Sequence, residues 1–212
     1  MSKIDEMDAR KTFLLEMYRQ MFADINRHMT VVWQSVSVVV GAFAIFALVE
    51  KQILPVDVAV SLMVMLCAWL YAHMLDAAYW YNRNLVIIAN IERQFLRDSD
   101  ARDIQYYFTA HRSSKNKMIT QLRIQSSLGV GIGAVVIIFH LSERVWPGLS
   151  ASFSTFELSR TLPYLTAAAS ILYCNWLTLD RQSAYQTFLK NSPGIDANTA
   201  GIDFGKGHTI DS

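Results

Sequence analysis

Charged side chains are scarce in this sequence, and four long stretches lack them entirely. Asp, Glu, Lys and Arg make up 17% of the 212 residues, whereas a soluble domain has about 25%. The uncharged windows are residues 31–49, 58–75, 126–142 and 161–179. A helix that crosses a bilayer needs roughly 17–25 mostly apolar residues, and all four windows reach that length. The sequence therefore predicts an all-α, polytopic membrane protein with four transmembrane helices.

Proline and glycine, which often end helices, are missing from two long parts of the chain. Neither occurs between Asp8 and Val40, nor from the second window to Gly129. Within DAAYWYNRNLVIIANIERQF (76–95), apolar residues recur at helical spacing beyond the window. We therefore expect the first two spanning helices to continue outside the membrane. Together with a helix leading into the third, they are predicted to form a cytoplasmic helical bundle that covers this apolar side.

Lys and Arg are also rare in two of the loops, and this asymmetry predicts the orientation. Sixteen of the 19 basic residues lie in 1–28, 76–125 and 180–212. By the positive-inside rule these segments, and both termini, are cytoplasmic. The first 28 residues have no compact apolar core of the kind found in signal peptides. We expect a multi-pass protein of the plasma membrane, the bacterial inner membrane in particular.

The predicted organisation follows from these boundaries. Residues 1–28 form an amphipathic helix continuous with the first span, and 29–75 form the first transmembrane hairpin. Residues 76–125 form the helical stalk and a basic lead-in, and 126–179 form the second hairpin. A short helix and a flexible tail complete the chain over 180–212.

Motifs for catalysis or metal binding are not found in the sequence. The two cysteines, Cys67 and Cys174, lie in separate windows and do not form a metal-ligand spacing. There is no P-loop, nucleophile elbow, zinc motif or carboxylate pair. We therefore expect no cofactor, no metal and no enzymatic activity, and a lipid-modifying enzyme is the weakest functional alternative.

Small and polar residues recur on one side of three predicted spans. Such residues either pack helices closely or line a watery path, and packing is the commoner use. Ser126, Gly129 and Gly133 are predicted to pack helices, within one chain or between chains. The candidate pore-lining or interhelical residues are Thr30, Gln34, Ser37 and Gly41 on the first helix, and Ser170, Cys174 and Thr178 on the fourth.

Polar side chains outside the windows suggest two further roles. A register-fixing network on the stalk could couple cytoplasmic events to the spans, although solvated charges on a helix flank are the simpler reading. The basic lead-in is predicted to contact anionic lipid rather than nucleic acid. His140 is expected to be an interfacial side chain rather than a proton relay. The candidate coupling residues are Asp76, Arg83, Asn90, Glu92 and Arg93, and the lipid-contact residues are Arg112, Lys115, Lys117 and Arg123.

These features favour a homo-oligomeric membrane protein that acts as a pore or channel-like effector, or otherwise perturbs the bilayer, under control of its cytoplasmic helices. The alternative is a non-conducting anchor that recruits a soluble cytoplasmic partner. The general plan is similar to that of small multi-pass membrane proteins of bacterial defence systems. That likeness is one of architecture, without a shared motif.

Overall fold

Every regular element of the protein is helical in a computed structural model that describes residues 3–96, 100, 120–150 and 157–192. The helices are α1 (Lys3–Ala42), α2 (Ile45–Glu50), α3 (Val56–Phe95), α4 (Thr120–His140) and α5 (Leu162–Asn191). A π-helical turn and two short 3-10 turns lie between α4 and α5. The predicted all-α class is confirmed for this part of the chain.

Among the described residues, three stretches of helix are long and apolar enough to cross a membrane. They are Asp5–Glu50, Val56–Phe95 and Arg123–Val145. The fourth predicted span lies in α5. This helix is long enough, with 30 residues, but it is not apolar enough to be counted with the other three. Its apolar run is interrupted by polar side chains such as that of Asn175. Three of the four predicted spans are thus supported by length and composition.

Helix α3 runs for 40 residues without a break, straight through Asp76. No proline or glycine interrupts it, so its backbone hydrogen bonds continue beyond the apolar window. Leu85, Ile88 and Ile91 on its later half are buried, as the apolar repeat predicted, whereas Phe95 is exposed. The lead-in proposed to extend the third span lies mostly outside the described residues.

The chain divides into two units, each with its own buried side chains. Unit A comprises residues 29–78 and 118–183, and unit B comprises 1–28, 79–117 and 184–212. The described core of unit A is aliphatic and sulfur-containing, and its largest enclosed members include Met63, Leu70 and Met74. In unit B the buried residues come largely from α3, in the segment Asn82–Ile91.

The turn between α2 and α3 sets where α3 begins. Gln52 has a φ of 56°, the left-handed conformation that commonly ends a helix. The amides of Gln52 and Ile53 donate to the carbonyls of Val49 and Leu48, each at 2.9 Å, which is the Schellman pattern. Pro55 follows, and its carbonyl accepts the first hydrogen bond of α3 from Ala59 at 3.0 Å. Asp57 is thereby placed in the first turn of α3.

Helix α4 ends in a π-helical turn over Leu141–Val145. The amide of Trp146 donates to the carbonyl of Leu141 at 2.8 Å, a bond that spans five residues instead of four. Single π-turns are rare and occur frequently at functional sites. This turn begins directly after His140 and carries Arg144.

Candidate functional site

An aspartate and a histidine are almost completely enclosed in the part of unit A that the structure describes. Asp57, in the first turn of α3, is 1% exposed, and His140, the last residue of α4, is 0% exposed. Enclosed polar groups of this kind are costly unless they are hydrogen-bonded. Their partners therefore decide what this part of the molecule can do.

Asp57 and His140 lie at the centre of a hydrogen-bonded network. His140 Nε2 is 3.0 Å from Asp57 Oδ1, and His140 Nδ1 is 3.1 Å from the Tyr164 hydroxyl. The other carboxylate oxygen of Asp57 accepts a hydrogen bond from Ser159 Oγ at 2.8 Å. Arg144 Nε donates to Asp57 Oδ1 at 3.3 Å. Residues from α3, α4 and the following turns thus meet at one carboxylate, and Tyr164 of α5 joins the network through His140.

A second, more exposed layer surrounds this centre. Arg144 Nη2 donates to Glu157 at 2.8 Å, and Arg160 Nη2 lies 3.3 Å from the same carboxylate. Arg160 Nη1 also donates to the Arg144 carbonyl at 3.2 Å. Hydrogen bonds and positive charge from Arg160, and then from Arg144, hold the pKa of the Glu157 carboxyl below its ordinary value. Two acids and two arginines are therefore interleaved around His140.

The position of Asp57 favours its ionised form for two reasons. A carboxylate in the first turn of a helix is stabilised by the helix dipole. It also accepts hydrogen bonds from donors on three sides. No group of three metal-ligating side chains occurs among the described residues. The side chains of this network form hydrogen bonds and ion pairs with one another.

The sequence reasoning did not find this network. His140 was expected to be an interfacial side chain, and its enclosure between Asp57 and Tyr164 was not predicted. One signal was available, because Asp57, His140 and Arg144 lie at the ends of two windows that the orientation rule puts on the same side of the membrane. Arg144 and Arg160 are also two of only three basic residues predicted on that side.

The small residues of α4 pack inside the chain, against α3. A methyl group placed on Gly129 would lie 3.3 Å from Leu70 Cδ2 and 3.6 Å from the Cys67 carbonyl, and one on Gly133 would lie 3.6 Å from Cys67 Cβ. Ser126 is 8% exposed. In this structure, Gly129 and Gly133 lie against Leu70 and Cys67 of the same chain. Close approach of two backbones is what small residues at this spacing permit.

The predicted stripe on α5 also faces the interior of unit A. Cys174 Sγ approaches the Ala68 carbonyl of α3 at 3.7 Å, and Ser170 is half-buried. Thr178 is half-buried and donates to the Cys174 carbonyl of its own helix at 2.7 Å. Of these residues, Cys174 makes the contact with α3.

The stripe on α1, which belongs to unit A, faces away from the other buried residues of that unit. Thr30, Gln34, Ser37 and Gly41 are all exposed, whereas Val32 and Val39 on the opposite face are buried. A methyl group on Gly41 would meet nothing within 4 Å. The Gln34 amide has no hydrogen-bond partner in the part of the chain that the structure describes. The two predicted stripes therefore differ in kind, although they look alike in the sequence.

The five proposed coupling residues have different environments. Asp76 lies 3.3 Å from Arg181 Nη1 of α5 in unit A. In unit B, Asn90 donates to Ser192 at 3.0 Å, and the Tyr18 hydroxyl donates to Glu92 at 3.2 Å.

Arg83 and Arg93 complete this set. The guanidinium of Arg83 lies over the rings of Trp80 and Phe188, 4.9 and 5.6 Å from their centroids, as cation–π pairs do. Arg93 is exposed. Within unit B, α3 is therefore held to α1 and to the end of α5.

Of the predicted lipid-contact residues, only Arg123 is described, and it is exposed. Arg112, Lys115 and Lys117 lie outside the described residues. Their proposed contact with anionic lipid stays a prediction.

Comparison with protein-family models, with curated protein sequences and with solved structures gave no match. Over the residues that the structure describes, the fold is all-helical, and three of its helices could span a membrane. Two polar features of the molecule bear on its function: the outward stripe of α1 and the enclosed network around Asp57.

Proposed function

We propose that this chain is a multi-pass membrane protein that assembles with copies of itself through the outward face of α1. The assembly conducts ions or otherwise permeabilises the bilayer. The main support for this proposal is the amide of Gln34. It is exposed and has no partner among the described residues, yet it lies within a helix apolar enough to span a membrane. An amide facing hydrocarbon without a hydrogen bond is costly, so this face requires a partner or water.

A second copy of α1 supplies that partner directly. A glutamine amide has both donors and an acceptor, so two Gln34 side chains complement each other. The residues one and two turns further along, Ser37 and Gly41, are small and let two helices approach closely. In an assembly of more than two chains, the same stripe surrounds a central axis and lines a polar path.

The fourth span and the orientation belong to this proposal. Cys174 of α5 contacts α3. We propose that α5 crosses the bilayer between other helices, where its polar residues are shielded from lipid. The excess of Lys and Arg in 1–28, 76–125 and 180–212 assigns these segments to the cytoplasm. Unit B then acts as the cytoplasmic control element, and the Asp57 network lies at the opposite membrane surface.

The second candidate function is a non-conducting anchor for a soluble partner. It is favoured by exposed apolar residues on the unit B part of α1, where Met7 is 68% and Phe13 66% exposed. Exposed apolar side chains outside the bilayer fit a protein-docking surface. A planar-bilayer recording separates the two functions, because the anchor gives no current.

Replacement of Gln34 by leucine is expected to weaken both assembly and conductance. An interhelical hydrogen bond in a membrane is worth about 1–2 kcal/mol, so association should fall by about 5–30-fold at each contact. The protein is reconstituted in planar bilayers for current recording and in liposomes for subunit counting by photobleaching.

Val40→Leu is the matched control, because Val40 is exposed on the flank of the same helix and receives the same new side chain. It should retain wild-type current and stoichiometry. Full activity of Gln34→Leu would rule out α1 as the conducting surface. Silence of the wild-type protein over a wide voltage range, with a soluble protein co-purifying, would support the anchor instead.

A further inference from the structure

His140 is held from both sides of its imidazole ring. Nε2 faces the Asp57 carboxylate of α3, and Nδ1 faces the Tyr164 hydroxyl of α5, at 3.0 and 3.1 Å. Its side chain is 0% exposed. Both ring nitrogens of this enclosed histidine therefore have a polar partner, as buried polar groups require.

The two partners suit both protonation states of the ring. In the neutral form, Nε2–H donates to Asp57 and Nδ1 accepts from the Tyr164 hydroxyl. In the protonated form, both nitrogens donate, and the Tyr164 oxygen accepts after its O–H rotates. His140 can therefore gain or lose a proton without leaving a buried group unpaired.

The charges around the ring make this change consequential. Asp57 faces it from α3, Arg144 from the π-turn and Tyr164 from α5, while Glu157 and Arg160 pair with Arg144 behind it. Glu143, also on the π-turn, is exposed. Residues 151–156, in the same connection, contain no titratable side chain. With His140 neutral, the two negative charges of Asp57 and Glu157 equal the two positive charges of Arg144 and Arg160.

A proton on His140 places a second positive charge beside Arg144. Both cations then share Asp57 Oδ1, from which Arg144 Nε lies 3.3 Å and His140 Nε2 lies 3.0 Å. Arg144 has an alternative partner in Glu157, which its Nη2 already approaches at 2.8 Å. Repulsion from the imidazolium therefore favours release of Arg144 from Asp57 toward Glu157.

We propose that His140 is a proton-binding site that controls how firmly the connection between α4 and α5 is held against the start of α3. Uptake of a proton at Nδ1 reverses the hydrogen bond to Tyr164 and weakens the Arg144–Asp57 contact. The connection loosens in acid and tightens as the proton is released. This role is independent of the proposed assembly through α1.

Hydrogen–deuterium exchange of the full-length protein in nanodiscs tests the proposal. Exchange is followed in peptides covering residues 141–150 at about pH 5 and pH 8, which bracket the range in which imidazoles titrate, with correction for the intrinsic exchange rate. We expect protection of the wild-type segment to be lower at the acid pH by about threefold or more.

His140→Gln keeps a donor and an acceptor but cannot take up the proton, so its exchange should not depend on pH. His73→Gln is the control, because His73 also lies in unit A but stacks on Trp69, and it should behave like the wild type. A wild-type segment with the same protection at both pH values would overturn the proposal. Persistence of the pH dependence in His140→Gln would do so as well.

The wild-type protein with ¹⁵N-labelled histidine gives a second readout that does not depend on a variant folding. The proposal predicts one fully enclosed imidazole that carries a second proton at the lower but not at the higher of the two pH values used for the exchange measurement, and whose signal is lost in His140→Gln or, if that variant does not fold, shifts in Tyr164→Phe. A His140 imidazole that keeps one protonation state over this range would refute the assignment.

Discussion

Replacement of Asp57 by alanine is expected to lower the free energy of unfolding by about 3–5 kcal/mol, the cost of removing one member of a buried ion pair. Asp57 is 1% exposed and accepts hydrogen bonds from His140, Arg144 and Ser159. Its removal leaves these donors facing a cavity. The loss is measured by reversible unfolding in mixed micelles with increasing SDS, followed by circular dichroism.

Glu157→Ala is the matched control for this measurement. Glu157 also binds Arg144, at 2.8 Å, but its side chain is 52% exposed. Ion pairs in contact with solvent contribute about 0–1 kcal/mol, so this variant should be nearly as stable as the wild type. A loss of stability for Asp57→Ala as small as that expected for Glu157→Ala would show that the Asp57 network does not hold unit A together.

Replacement of Gly129 by isoleucine is expected to destabilise the protein by about 1–3 kcal/mol through overpacking. Even a methyl group at this position would lie 3.3 Å from Leu70 Cδ2 and 3.6 Å from the Cys67 carbonyl of α3. The remaining atoms of isoleucine have no space unless α3 and α4 separate. The same SDS titration measures the effect.

Gly131→Ile controls for the change of residue type on the same helix. Nothing lies within 4 Å of a methyl group placed on Gly131, and an exposed isoleucine suits a helix surface in lipid. This variant should match or exceed wild-type stability. A Gly129→Ile protein as stable as Gly131→Ile would contradict close packing of α4 on α3 through Gly129.

The helical architecture follows from simple features of the sequence. Uncharged windows of sufficient length predict where apolar helices lie, and the absence of proline and glycine predicts that α1 and α3 continue beyond them. Three of the four windows correspond to helices that could span a membrane. The fourth differs because its helix contains Asn175 and several tyrosines, whose suitability for a bilayer depends on what the neighbouring helices offer.

The candidate sites were less predictable, because periodicity defines faces only relative to a helix's own axis. The stripe containing Gln34 and the stripe containing Cys174 have similar composition, yet the first is exposed and the second contacts α3. Which face meets a neighbour depends on the positions of the other helices, and one sequence does not supply these.

The network around His140 was missed for a related reason. Its members are far apart in the chain, as Asp57 and His140 are separated by 83 positions. They meet because the first turn of α3 lies beside the last residue of α4 in space. The π-turn that carries Arg144 is likewise a local departure from α-helical geometry without a sequence signature. In unit B, the contacts of Asn90 and Arg83 with the end of α5 depend on the same kind of tertiary information.

The central claim, contact between copies through the α1 stripe, is tested most directly by disulfide cross-linking in native membranes. Gln34→Cys and Val40→Cys are compared in a background in which the two free cysteines, Cys67 and Cys174, are replaced by alanine. We predict covalent dimers at position 34 and few or none at position 40 after mild oxidation. No dimer at position 34, or equal dimer at both positions, would contradict the assembly.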